Sequence, residues 1–204
     1  MLGADYVGDT DAPRVEVVSE PLLGHSMDLP STDAEVWATL ESTATALAAR
    51  CDVYGIACNT LNVYARRLRA LDLPADLVTP PDAVRAWAAA HEVESIGLLG
   101  ARPVATLTEW SPYAPLTAEL RIETPPDVDA LHRLIVDIKA DGGAAASLRD
   151  RFTQLAGAFD SRHLLLACTE LPIVATAVEG KHLVDPTDLL AAELVRRWSE
   201  MAAD

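Results

Sequence analysis

Apolar residues recur along the chain at two periods, and the alternation between those periods predicts the elements of the fold. Residues 52–57 (DVYGIA) form a short, mostly apolar run ending at Cys58-Asn59-Thr60. Leu61, Tyr64, Ala65 and Leu68 then fall at helical spacing. The segment reads as strand, tight turn and helix. Residues 163–167 (HLLLA) repeat the pattern and end at Cys168-Thr169-Glu170, so the two stretches form a weak internal repeat built around Ala-Cys. A third strand is predicted over 95–100, with shorter candidates at 14–19, 118–122 and 181–184.

Helical periodicity fills the intervals. Over residues 33–49, Val36, Leu40, Ala44 and Leu47 share one face, and Thr32 with Glu35 has the spacing of a capping box. Residues 128–140 place Leu131, Leu134, Ile135 and Ile138 on one face, and Asp141-Gly142-Gly143 supplies a stop. Near the carboxyl end, Asp185 caps a helix with Pro186 at its first position and Leu190, Leu194 and Trp198 on its buried side. Strands alternating with helices predict an α/β protein with parallel, helix-covered sheets. Pro80-Pro81 marks a crossing between two lobes. The expected division is residues 1–78 plus 183–204 for a first α/β lobe carrying Cys58, and 79–182 for a second carrying Cys168.

Composition narrows the function. The chain has 204 residues, 50% of them hydrophobic and 23% charged, which suits a folded globular protein. Its formal net charge of −15 opposes nucleic-acid phosphates and anionic lipid surfaces, so neither nucleic acid nor membrane is expected as a partner. No apolar run is long enough for a spanning helix, and Met1-Leu2-Gly3-Ala4-Asp5 lacks the pattern of a signal peptide; the expected location is the cytoplasm. Cys51, Cys58 and Cys168 have no zinc spacing and read as free thiols, and no metal is expected. Lys139 and Lys181 are the only lysines, which leaves few places for a pyridoxal-phosphate linkage.

In open α/β sheets ligands sit beyond the carboxyl ends of strands, where helix amino-termini offer unpaired N–H groups. Cys58 and Cys168 both occupy such positions. The helix dipole and neighbouring donors there predict a favoured thiolate, usable as a base or nucleophile.

Ile56-Ala57-Cys58-Asn59-Thr60 and Leu166-Ala167-Cys168-Thr169-Glu170-Leu171-Pro172 resemble the two signature segments of the aspartate/glutamate racemase superfamily. Ile96-Gly97-Leu98-Leu99-Gly100, Thr124-Pro125-Pro126-Asp127 and Ile138-Lys139-Ala140-Asp141-Gly142 follow the family in order and spacing, and Glu170-Leu171-Pro172 is closer to its aspartate-racemase branch. The resemblance implies two pseudosymmetric lobes with an active-site cleft between them, no cofactor, a small-molecule substrate and a homodimer. It also implies a two-base mechanism in which Cys58 and Cys168 serve opposite faces of an amino acid.

Asn59, Thr60 and Thr169 stand where donors to the substrate are needed. Lys139 matches a position that approaches the substrate carboxylate, although a lysine in a last helical turn is also favourable to the dipole. Glu170 either tunes Cys168 or serves as an ordinary first-turn acid, and Asp9 and Thr10 match a segment that can line the cleft mouth. Set beside the family, the first βα unit is expected to be missing or replaced, Gly100-Ala101-Arg102-Pro103-Val104 stands where two threonines are usual, and Asn62 stands where a histidine is frequent. Arg102 is a substitute anion donor or a surface residue. His25 and His163 are expected to be structural or solvated, Cys51 a spectator, and the four tryptophans packing residues. The leading expectation is therefore a racemase or epimerase acting on an aspartate- or glutamate-like substrate. The alternatives are an isomerase of a dicarboxylic acid and a catalytically inactive, racemase-like binding protein.

Overall fold

Two parallel sheets carry the architecture, and their unequal size follows from which apolar runs find a neighbour. The computed structural model describes Gly8 and residues 12–203. In the first lobe a 3-10 segment, Pro21–Asp28, runs directly into helix α1 (Leu29–Ala48), which is followed by strand β1 (Val53–Gly55), a 3-10 turn (Thr60–Tyr64), helix α2 (Ala65–Arg69) and strand β2 (Asp76–Val78). β1 and β2 pair in parallel, with Val53 opposite Asp76 and Gly55 opposite Val78. Helix α3 (Pro80–Ala90) then leads to β3 (Ser95–Gly100) and the short α4 (Arg102–Ala105), and a 3-10 turn (Ala114–Ala118) to β4 (Arg121–Glu123). Next come α5 (Val128–Asp141), α6 (Ala146–Gly157), β5 (His163–Ala167), the short α7 (Leu171–Val174), β6 (His182–Val184) and α8 (Pro186–Ala203).

The second sheet has the order β4-β3-β5-β6, all parallel, with Ile96 opposite His163 and Gly100 opposite Ala167. Its two central strands are apolar without alternation because both faces are covered. On one face Leu99, Leu164 and Leu166 pack with Leu131, Leu134, Ile135 and Ile138 of α5 and Phe152 of α6. On the other, Ile96, Leu98 and Leu165 meet Val84 and Ala88 of α3 together with Tyr113 and Leu116. The first lobe has its own core, in which Val36, Leu40, Ala44 and Ala48 of α1 face Tyr54, Leu61, Tyr64 and Leu68. The parallel α/β fold in two helix-flanked sheets is thus the one expected. β6 falls across the 182/183 division drawn from the sequence: it pairs with β5, while α8 returns to the first lobe, where Leu190 Cδ1 packs on Gly55.

Local differences have physical causes. α1 begins at Leu29, before the expected capping box, because the 3-10 segment feeds it without a break; Thr32 donates back to Asp28 O at 2.8 Å and to His25 O at 3.0 Å and does not cap the helix. The strand expected at 14–19 does not form. Val15 and Val17 are 73% and 85% exposed, and no strand of the first sheet pairs with the segment, which is held instead by the Glu16 carboxylate on Arg50 at 2.5 Å. A β-like alternation cannot fold as a strand without a ladder partner. Pro80-Pro81, read as punctuation, opens α3, since proline suits the first turn of a helix and Thr79 caps it by accepting from Asp82 N. The stop of α5 is the expected one: Gly142 adopts φ 67° and its N–H closes on Ile138 O at 2.8 Å.

Gly97 sits at the centre of the second sheet, where an added Cβ would stand 2.6 Å from Leu164 Cδ2 and 2.6 Å from Phe159 Cδ1. Gly97→Ala is therefore expected to destabilise the protein by about 1–3 kcal/mol through overpacking, read as a lowered urea midpoint with unchanged slope.

Candidate active site

The two Ala-Cys turns lie beyond the carboxyl ends of β1 and β5. Cys58 lies three residues past β1, in a turn clasped by Asn62, whose Nδ2 donates to Ile56 O at 3.0 Å and Cys58 O at 2.8 Å. Asn62 thus holds the cysteine turn in shape. Its buried Oδ1 has no partner among the described residues. The N–H groups of Thr60 and Leu61 and the hydroxyl of Ser26 are directed at the Cys58 sulfur. Cys168 follows β5 directly and donates its thiol proton to Glu170 Oε2 at 2.9 Å. Thr169 Oγ1 donates to the same oxygen at 3.2 Å.

Lys139, in the last turn of α5, joins the two halves. Its Nζ lies 3.1 Å from Glu170 Oε1 and 3.9 Å from the Met27 sulfur, which belongs to the first lobe. Its charge acts on both Cys58 and Cys168. Five of the residues singled out in the sequence, Cys58, Lys139, Cys168, Thr169 and Glu170, therefore share one cluster. Thr60 joins through its backbone N–H, and its side chain is buried. Asn59, also buried, accepts a hydrogen bond from Tyr113. Asp9 and Thr10 lie outside the described residues. Ser26, Met27 and Tyr113 were missed, for each is a single residue in irregular sequence and carries no periodic or motif signal.

Electrostatics overturn one expectation. Neither thiol is activated: burial pushes Cys58 above the usual thiol range, outweighing its donors and Lys139. Burial also raises Cys168, and the adjoining Glu170 carboxylate raises it further by charge and by accepting its proton, so Lys139 does not bring it back. Helix-dipole reasoning counted the donors and omitted the desolvation. Glu170 moves the other way. Burial raises it, but the hydrogen bond from Cys168 and the contact with Lys139 together hold it below the ordinary carboxylate range. The resting cluster is two protonated thiols beside one ionised carboxylate.

The peripheral candidates separate from this cluster. Arg102 is a surface residue: its Nη2 donates to Asp129 Oδ1 at 2.8 Å, and the neighbouring Ala101 and Val104 are buried apolar side chains. His25 pairs with Glu35 at 3.4 Å on the surface. His163 starts β5 at the end opposite Cys168 and packs edge-on against Trp87 and His182. Cys51 donates to Leu47 O within α1's final turn. Trp37 packs against Tyr64 and under the Arg67 guanidinium.

Known proteins match the chain in family and in fold. The family model described as Asp/Glu/hydantoin racemase matches residues 4–194, and the chain belongs to that family of enzymes. Among solved structures, the Picrophilus torridus aspartate racemase superposes with a TM-score of 0.78 at 19% identity, over 95% of this chain and 83% of that one. The aspartate racemase homologue of Pyrococcus horikoshii gives 0.74 at 20% identity, over 97% and 87%. The glutamate racemase of Francisella tularensis, solved with D-glutamate, gives 0.64 at 16% identity, over 83% and 65%. These likenesses establish the shared fold. No curated protein sequence matches the chain. Among the described residues no helix is long and apolar enough to cross a membrane, and the family acts on small molecules.

Because Glu170 raises Cys168, Glu170→Gln is expected to lower the Cys168 pKa and speed its alkylation by iodoacetamide at pH 8 by roughly tenfold, if the relief amounts to about one pH unit. Peptide mass spectrometry resolves Cys168 from Cys51 and Cys58. An unchanged Cys168 rate would show that the carboxylate does not govern this thiol.

Proposed function

We propose that the protein is a cofactor-independent racemase or epimerase of an aspartate- or glutamate-like amino acid, with Cys58 and Cys168 as its acid/base pair. The observation that carries the reading is the convergence of both cysteines, from equivalent strand ends of two lobes, on one lysine. The expected homodimer and the cytoplasm complete the proposal, and three unpaired cysteines suit a reducing compartment.

The surroundings of the two sulfurs favour different resting roles. Cys168 keeps its proton because the neighbouring Glu170 carboxylate accepts a hydrogen bond from the thiol, and so serves first as the acid. Cys58, served by three donors and the Lys139 charge, is the thiol that can yield a thiolate once substrate enters. In one direction the Cys58 thiolate takes the α-proton, and the bonding pair remains on the α-carbon as a carbanion conjugated with the carboxylate. The Cys168 thiol then delivers its proton to the opposite face. The cycle leaves Cys58 as thiol and Cys168 as thiolate, the state that converts the other enantiomer back. Lys139 and the donors at Asn59 and Thr60 offset the charge that develops on the substrate carboxylate. With a net charge of −15 over the whole chain, this local positive charge must do what the global field opposes.

One observation favours a second reading. Both thiols sit above their ordinary range, as in a protein that binds the amino acid without turning it over. That reading predicts thermal stabilisation by the ligand with no exchange.

Proton NMR in D2O with L- and D-aspartate and glutamate separates the two. The racemase reading expects the α-proton signal to disappear, and Cys58→Ser and Cys168→Ser each to slow racemisation by about 10²- to 10⁴-fold. Since Cys58 must lose its proton and its pKa is raised, kcat/KM is expected to climb about tenfold per pH unit from pH 7 to beyond 8.5. Full racemisation by either serine variant would end the proposal.

A further inference from the structure

Tyr113 and Asn59 join the lobes at a second buried point, next to the cysteine turn. Tyr113 is fully buried in the second lobe, and its hydroxyl donates to Asn59 Oδ1 at 2.5 Å. Asn59 is also buried and directly follows Cys58. The loop carrying the tyrosine is itself pinned, for Ser111 Oγ donates to Val104 O at 2.6 Å and accepts from Tyr113 N at 3.3 Å. Burial, with the Asp185 charge added, drives the phenol far above its ordinary pKa, so it remains a one-proton donor at any working pH.

That single proton decides which way the Asn59 amide faces. A carboxamide has an acceptor at one end and two donors at the other. Reversing it would strip the buried phenolic proton of the only acceptor it has among the described residues, an arrangement that buried polar groups avoid. With Oδ1 occupied, Nδ2 and its two hydrogens are left for a ligand, and Nδ2 has no protein partner among the described residues. A reversed amide would offer Oδ1, which repels a carboxylate.

We propose that Tyr113 is a positioning residue that fixes the Asn59 amide with its donor end toward a carboxylate of the substrate. The second lobe thereby sets a carboxylate-binding group carried by the first. The inference rests on the racemase reading of the cleft and adds to it a residue that touches no substrate.

The test compares wild type, Tyr113→Phe, Asn59→Ala and the double variant, using calorimetry and deuterium exchange with whichever of aspartate and glutamate the wild type turns over. Tyr113→Phe is expected to raise Kd about tenfold and to lower kcat/KM by tenfold or more, because Asn59 holds the carboxylate both at rest and as its charge develops. The double variant is expected to bind no more weakly than Asn59→Ala alone, because the tyrosine acts through the asparagine. Asn59→Asp keeps the acceptor for Tyr113 but removes the donor. It is expected to melt near wild type and bind more than tenfold more weakly, and it carries the test if Tyr113→Phe fails to fold. Wild-type binding by a folded Tyr113→Phe, additive losses in the double variant, or wild-type binding by Asn59→Asp would each overturn the proposal. A wild type that neither exchanges nor binds either amino acid would instead overturn the racemase reading, and this inference with it.

Discussion

The contact between Lys139 and Glu170 is the interaction on which the rest of the cleft depends. It fixes a positive charge that acts on both Cys58 and Cys168 and pairs it with the carboxylate beside Cys168. Glu170 accepts a hydrogen bond from the Cys168 thiol, and that bond together with Lys139 keeps the Glu170 carboxyl below its ordinary range. Among the described residues Cys58 is met by N–H groups, a hydroxyl and the lysine. Among those residues, Glu170 is what sets the surroundings of Cys168 apart from those of Cys58.

Burial opposes that arrangement and makes it useful. A thiol removed from water resists ionisation, which is why both cysteines lie above their ordinary range. The same exclusion of water strengthens every charge interaction in the cleft. A site of this kind rests protonated and depends on the substrate's own charges to shift it. Desolvation and local donors act on the same atoms with opposite sign, and the donors prevail only for Glu170.

Much of this was legible in the sequence, for definite reasons. Uninterrupted apolar runs marked β3 and β5 because both faces of those strands are covered, and Gly142 marked the end of α5 because its left-handed φ suits glycine. The Ala-Cys repeat pointed to the two cysteine turns, and the family's spacing pointed to Lys139 and Glu170, whose side chains lie 3.1 Å apart. What escaped notice depends on tertiary placement. The alternation at Val15 and Val17 predicted a strand, but a strand needs a neighbour, and no neighbour is coded locally. The thiol pKa values were misjudged because burial cannot be read from a turn motif. Ser26, Met27 and Tyr113 reach the cleft from loops whose course is set by packing far along the chain.

Exchange resolved by enantiomer tests the two-sulfur assignment most directly. With Cys168 replaced by serine, only the enantiomer whose α-proton faces Cys58 should exchange in D2O, and with Cys58 replaced, only the other. Complementary, single-enantiomer exchange is the predicted result. If both variants exchange the same enantiomer, or each still exchanges both, the two sulfurs do not serve opposite faces of one substrate and the account of the cleft is wrong.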